Sequence, residues 1–161
     1  MLFNYKSGVL LCFVLLTSIF ACESKPKEVL QYYPSGELSR KHFEIKSKKE
    51  GKMTDYYKDG KVKGERLFEN DVQVGKTVYF YPSGSVKEVL YFDAGKMNGG
   101  DSIFYEDGKL QFLRNWNMGV LDGYIRKLDT AGIVTYEAKY ANDQLIQVQG
   151  KSVHPDSLIT K

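Results

Sequence analysis

Few side chains in this 161-residue chain are of the types that do chemistry, and their spacing gives them little to work with. Its two histidines are His42 and His154, and neither has a second histidine or a carboxylate at helical spacing to complete a metal pair. Ser35 and Ser83 sit inside Tyr-Pro-Ser-Gly phrases, where a turn already asks for a small polar residue. The carboxylates of "YEDGK" at 105–109 and "NDQ" at 142–144 also fall where turns favour Asp. "GKMNGGDS" at 95–102 is rich in glycine, but no strand–loop–helix setting follows to make it a phosphate cradle. No catalytic centre, metal site or cofactor is expected from these residues.

The two cysteines, Cys12 and Cys22, belong to the start of the chain. Lys6 precedes the apolar run "GVLLCFVLLTSIFAC", which is followed by "ESKPKE". A basic start, an apolar stretch of about 7–15 residues and a small residue before a cut describe a secretory signal peptide. The run is shorter than the roughly 20 apolar residues of a membrane-spanning helix. "SIFAC" also resembles a bacterial lipobox, in which cleavage after Ala21 leaves Cys22 as a lipidated N-terminus. An ordinary secreted protein and an uncleaved anchor are the alternatives. The expected organisation is a signal peptide at 1–21, a lipidated tether at 22–28, a repeat domain at 29–145, and a C-terminal cap and tail at 146–161. With Cys12 removed and Cys22 acylated (palmitate among its chains), no disulfide framework remains. Such a domain must fold on backbone pairing and apolar contacts.

Loss of the leader removes one charge, Lys6, and lowers the net charge from +3 to +2. That balance excludes a general nucleic-acid binder. Residues 39–66 are locally basic, with ten Lys/Arg against five Asp/Glu. An anionic surface or partner would fit this run; a solvated sheet edge kept apart by lysines fits it better.

What must position any functional group is a repeat. Gly36, Gly60, Gly84, Gly108 and Gly132 stand 24 residues apart. Two residues after them come Leu38, Val62, Val86, Leu110 and Val134; three before come Tyr33, Tyr57, Tyr81, Tyr105 and, as the exception, Asp129. A second series, Gly51, Gly75, Gly99 and Gly123, keeps the period, and Phe68, Phe92, Trp116 and Tyr140 follow the first glycines by eight. Turn signals every 11 to 13 residues point to strands of six to eight residues in an all-β protein. In Tyr-Pro-Ser-Gly, Pro presets the second position of a type I turn and Gly takes a left-handed fourth. The result is a three-residue hairpin loop with a bulge, placing Tyr33 opposite Glu37 and Tyr32 opposite Leu38. The same frame at the other kind of turn places Phe92 opposite Lys96, and "IKSKKEGKM" at 45–53 is expected to be the most irregular loop.

Strict alternation along the strands then puts all even-numbered residues on one face. That packed face would hold Tyr32, Leu38, Tyr56, Val62, Phe68, Phe80, Val86, Leu90, Phe92, Phe104, Leu110, Phe112, Trp116, Val134, Tyr136 and Tyr140. The odd face would be a wetter ladder of Tyr33, Tyr57, Tyr79, Tyr81, Tyr91 and Tyr105. Beyond the last repeat, Leu145, Ile146 and Val148 are expected to cap the final strand, with fraying beyond Pro155.

The phrase Tyr-Tyr-x-x-Gly-x-Leu/Val, an aromatic eight residues on, and then "VQVGK" or "GKMNGG" resembles the MORN-type repeat. It is most similar to the bacterial variant found in YwqK-family antitoxins, over about residues 29–145. The resemblance implies an open antiparallel sheet of successive β-hairpins, built from about five 24-residue repeats, without a catalytic centre. The matched glycines and aromatics are structural positions, so the resemblance carries over no functional residue.

The function expected is a noncatalytic, lipid-anchored binding or scaffolding module of a bacterial envelope, at the outer membrane. Its partners would be membrane lipid, through acylated Cys22, and a protein or glycan. An antitoxin or immunity protein that neutralises a toxin is the alternative. Tyr57, Tyr81 and Tyr105 are the candidate ligand-binding face, since Tyr with neighbouring Lys stacks on sugars, bases or peptide groups.

Overall fold

The computed structural model describes residues 25–152. The leader, Cys22, His154 and the tail beyond Pro155 lie outside the described residues. β1 (Lys27–Tyr32), β2 (Leu38–Ile45), β3 (Gly51–Tyr56), β4 (Val62–Glu69), β5 (Val72–Phe80) and β6 (Val86–Asp93) follow one another in chain order. β7 (Gly99–Phe104), β8 (Leu110–Asn117), β9 (Gly123–Leu128), β10 (Val134–Ala141) and β11 (Gln144–Val148) continue the same antiparallel sheet. Two-residue pieces, Lys48–Lys49, Lys96–Met97 and Val120–Leu121, lead into β3, β7 and β9, and Lys151–Ser152 folds back on β11. Every connection is a hairpin.

At the inner turns, Tyr33 N–H donates to Glu37 O at 2.8 Å and Gly36 N–H to Tyr33 O at 2.9 Å, and the four later turns repeat both bonds. The five turn glycines have φ between 82° and 102°, the left-handed region the turn requires. Gly84 has nothing within 4 Å of where a Cβ would stand, so a side chain there meets only backbone strain. Gly84→Val should lower stability by about 1–2 kcal/mol, against less than about 0.5 kcal/mol for Ser83→Ala. Equal urea midpoints for the two variants would contradict this.

The outer turns correct the expected frame. Asp93 lies opposite Lys96 and Phe92 opposite Met97, so the loop has two residues rather than three. Both loop residues have positive φ (Ala94 46°, Gly95 78°), a type I′ turn whose twist matches that of the strands. The first outer turn is not irregular: Ile45 pairs with Lys48, and Lys46 and Ser47 adopt the same turn without a glycine.

A second correction changes the faces. Tyr32 lies opposite Leu38 as expected, but Gln31 lies opposite Arg40, so Ser39 is an extra, bulged residue. The bulge recurs at Lys63, Lys87, Gln111 and Thr135. Each one reverses the odd–even alternation within its strand. Tyr32, Leu38, Tyr56, Val62, Phe80, Val86, Phe104, Leu110 and Val134 therefore lie on a back face. Phe68, Leu90, Phe92, Phe112, Trp116, Tyr136 and Tyr140 lie on the front face, where Met53, Thr77, Asp101 and Ala138 are at most 2% exposed. The back face keeps Leu30, Tyr32, Leu67, Val72, Tyr91 and Val134 exposed.

The second glycine series follows from backbone conformation, since Gly51, Gly75, Gly99 and Gly123 all have φ between 64° and 115°. In register they lie opposite Phe68, Phe92, Trp116 and Tyr140.

Neighbouring repeats are fastened at both ends of the hairpins. The hydroxyls of Tyr33, Tyr57, Tyr81 and Tyr105 donate to the carbonyls of Tyr56, Phe80, Phe104 and Leu128 at 2.7–2.8 Å. At the outer tips, the N–H groups of Asp71, Gly95, Gly119 and Asp143 donate to the carbonyls of Lys49, Gln73, Met97 and Leu121. The exceptional Asp129 reaches no further repeat; its carboxylate accepts from Ala131 N–H and Ile133 N–H within its own turn. The sheet then closes with Leu145 opposite Tyr140 and Val148 opposite Ala138, Ile146 being bulged between them.

Candidate functional site

The front face carries two kinds of surface. Part-buried charge pairs tie its turn-proximal row to its central row. Asp55 accepts from Arg40 Nε at 2.5 Å and is also bonded by Arg66. Asp101 lies 2.6 Å from Arg114 Nη2 and accepts from Trp116 Nε1 at 3.2 Å, and Arg114 also donates to Glu88 at 3.1 Å. Burial, with the Asp101 carboxylate as second cause, holds the Glu88 carboxyl above its ordinary range. His42, 3% exposed, meets Glu44 through Nε2 at 3.0 Å, so this histidine is part of the packed row. No group of three or more His, Cys, Asp or Glu placed to hold a metal occurs among the described residues.

The row nearest the inner turns is open. Its cross-strand pairs are Arg40 with Asp55, Gly64 with Tyr79, Glu88 with Ile103, and Phe112 with Lys127. Two adjoining hollows lie along it. The first is lined by Tyr33, Arg40, Asp55, Lys63 and Tyr79 among others, the second by Tyr57, Lys63, Tyr79, Lys87 and Glu88. The bulge aims Lys63 and Lys87 along this row, with their Nζ atoms 5.8 Å and 5.6 Å from the ring centroids of Tyr57 and Tyr81. Lys58 stands 5.7 Å over Tyr33 in the same way.

Of the three tyrosines singled out in the sequence, Tyr57 lines a hollow, Tyr81 lies beneath Lys87, and Tyr105 lines neither hollow. All three are half-buried with the hydroxyl committed to the next hairpin, so only their rings are available to a ligand. Tyr79, Gly64, Lys63 and Lys87 were not singled out. A signal was present: Gly64 belongs to neither glycine series, and Tyr79 stands in a column otherwise held by Asp55, Ile103 and Lys127.

Residues 49–70 and 73–94 match the MORN repeat variant, in two adjacent repeats of the same register. The glycine columns continue at the same period through Gly99 and Gly108, then Gly123 and Gly132. No curated protein matches the chain. A solved structure described as "Crystal structure of accessory secretory protein 1,2 and 3 in Streptococcus pneumoniae" is 18% identical, with a TM-score of 0.38. The match covers 68% of this chain and 20% of that one, so this chain spans a small part of that protein's length. At that score the likeness carries no argument.

Proposed function

We propose that this chain, whose residues 49–70 and 73–94 match the MORN repeat variant, is a noncatalytic binding module held at a bacterial envelope by an acylated Cys22. The observation that carries the reading is the open, basic and aromatic row on the front face. Backbone polar groups there are taken up by the ladder, and the exposed features are tyrosine rings with lysine ammonium groups above them. Such a surface holds a partner by ring contact and charge rather than transforming it.

The anchor rests on the sequence of the leader, with a short tether before β1. No described helix is long and apolar enough to cross a membrane. One acyl chain gives only marginal membrane binding, so stable attachment calls for the several chains a lipobox implies. Cys22→Ser should yield a protein that no longer partitions into a detergent phase and takes up no labelled fatty acid. A Cys22→Ser protein that stays fully membrane-bound would contradict the lipid anchor and favour an uncleaved helix.

A further inference from the structure

We propose that the front face around Tyr79 is a binding site for an acidic glycan, with one sugar ring lying on the Tyr79 ring and its carboxylate held between Lys63 and Lys87. This rests on the reading of the chain as a binding module and names the class of its ligand.

The site is a departure from the repeat. In the turn-proximal row only position 64 is a glycine, and its neighbour Tyr79 is the only tyrosine in its column. Gly64 is not among the residues with positive φ, so no turn geometry requires it. What requires it is contact: a Cβ there would stand 2.7 Å from Cδ1 of Tyr79 and 3.4 Å from the Val78 carbonyl oxygen. The Cδ1–Cε1 side of the ring lies against the bare backbone of β4, which fixes the ring's position. Its other side borders both hollows, and it is the ring they share.

The rim supplies the polar half of a sugar site. The Arg40–Asp55 pair offers a donor and an acceptor at one end of the first hollow. Lys63 and Lys87 form no ion pair with a described residue. Each lies over its tyrosine ring, an interaction worth about 0.5–1 kcal/mol at exposed sites, and Lys87 also acts on the Glu88 carboxylate without pairing with it. Their charge is therefore available to an anion. A flat aromatic seat takes the apolar face of a pyranose, and the charged rim takes its hydroxyls and carboxylate.

An acidic peptide fits less well. Strand addition needs a free sheet edge, whereas β4, β5 and β6 are paired on both sides. The hollows are also shallow openings on a sheet face, without the enclosed apolar pocket an anchor side chain uses.

The test is calorimetric titration of the full-length protein in detergent with trigalacturonate, its neutral counterpart galactotriose, and a hexaglutamate peptide. Wild type and Tyr79→Phe should bind trigalacturonate alike. Tyr79→Ala, and separately Lys63→Gln with Lys87→Gln, should weaken it by at least about tenfold, and galactotriose should bind at least about tenfold more weakly than the acid. The lysine double variant leaves the Tyr79–Gly64 contact intact and gives up only two exposed lysine–tyrosine contacts, so it serves even if Tyr79→Ala fails to fold. Absence of trigalacturonate binding, affinity unchanged in the lysine variant, or hexaglutamate bound as tightly would overturn the proposal. Envelope material captured equally by wild type and by these variants would overturn this site while leaving the binding-module reading in place.

Discussion

Arg114→Ala should lower stability by about 3–5 kcal/mol, among the largest losses available to one substitution in this chain. The guanidinium lies between Asp101, whose side chain is fully buried, and Glu88, which is partly buried. Without it two carboxylates face one another at the centre of the front face, and Trp116 Nε1 is left as a remaining donor to Asp101. The loss should also depend on pH. Glu88 already has its proton affinity raised in the fold by burial and by Asp101, and removal of Arg114 takes away an opposing influence. A carboxyl with a raised folded pKa makes the folded state bind more protons than the unfolded one. Stability therefore declines as pH rises from the ordinary value of 4.5 through the raised one. Urea unfolding of Arg114→Ala should show its greatest deficit above that window and partial recovery below it. A loss under about 1 kcal/mol at neutral pH would mean that the pair is solvated rather than packed.

Replacing Tyr57, Tyr81 and Tyr105 together by Phe should lower stability by about 3 kcal/mol, roughly 1 kcal/mol for each hydroxyl bond. The three bonds fasten different pairs of hairpins, so the single losses should add. Ser at the same positions removes the rings as well, and the triple Ser variant should lose most of its β-sheet signal. The Phe variant, in contrast, keeps the rings that face a ligand and should retain binding. Circular dichroism with urea titration separates the two. If the Phe variant were as stable as wild type, the hydroxyl bonds would not be what joins the repeats.

These expectations show which parts of the fold were legible in the residues. The 24-residue period and the left-handed turn glycines follow from columns such as Tyr57–Gly60–Val62, because one turn geometry needs those types in that order. The antiparallel order follows from hairpins too short to cross over. The bulge at Ser39, Lys63, Lys87, Gln111 and Thr135 was not legible. Those five residues share no chemical type, and the bulge is imposed by how the strand leaves the three-residue loop. Without it Phe92 and Phe104 fall on one face, whereas they lie on opposite sides of the sheet.

The outer turns were legible in part. Asn70–Asp71 and Asn142–Asp143 are residues that tolerate the left-handed region, and Gly95 and Gly119 end their loops, so a two-residue turn was indicated. Lys46–Ser47 gave no such sign and is held by pairing of β2 with Lys48–Lys49. At the candidate site, the tyrosines of the turns were conspicuous because they repeat. Gly64 and Tyr79 do not repeat, and their contact spans 15 positions, so only the register of β4 against β5 brings them together.

The most direct test of the chain as an envelope-held binding module is capture from solubilised bacterial membranes by the tagged full-length protein. Wild type is compared with the front-face variant Lys63→Gln with Lys87→Gln, and with Val134→Thr on the exposed back face as control. The expected result is a protein or glycan retained by wild type and by the control and lost with the front-face variant, all three being folded by circular dichroism at the temperature of capture. Retention of nothing by wild type would contradict it, whereas the same material held equally by all three would place the binding surface elsewhere on the chain.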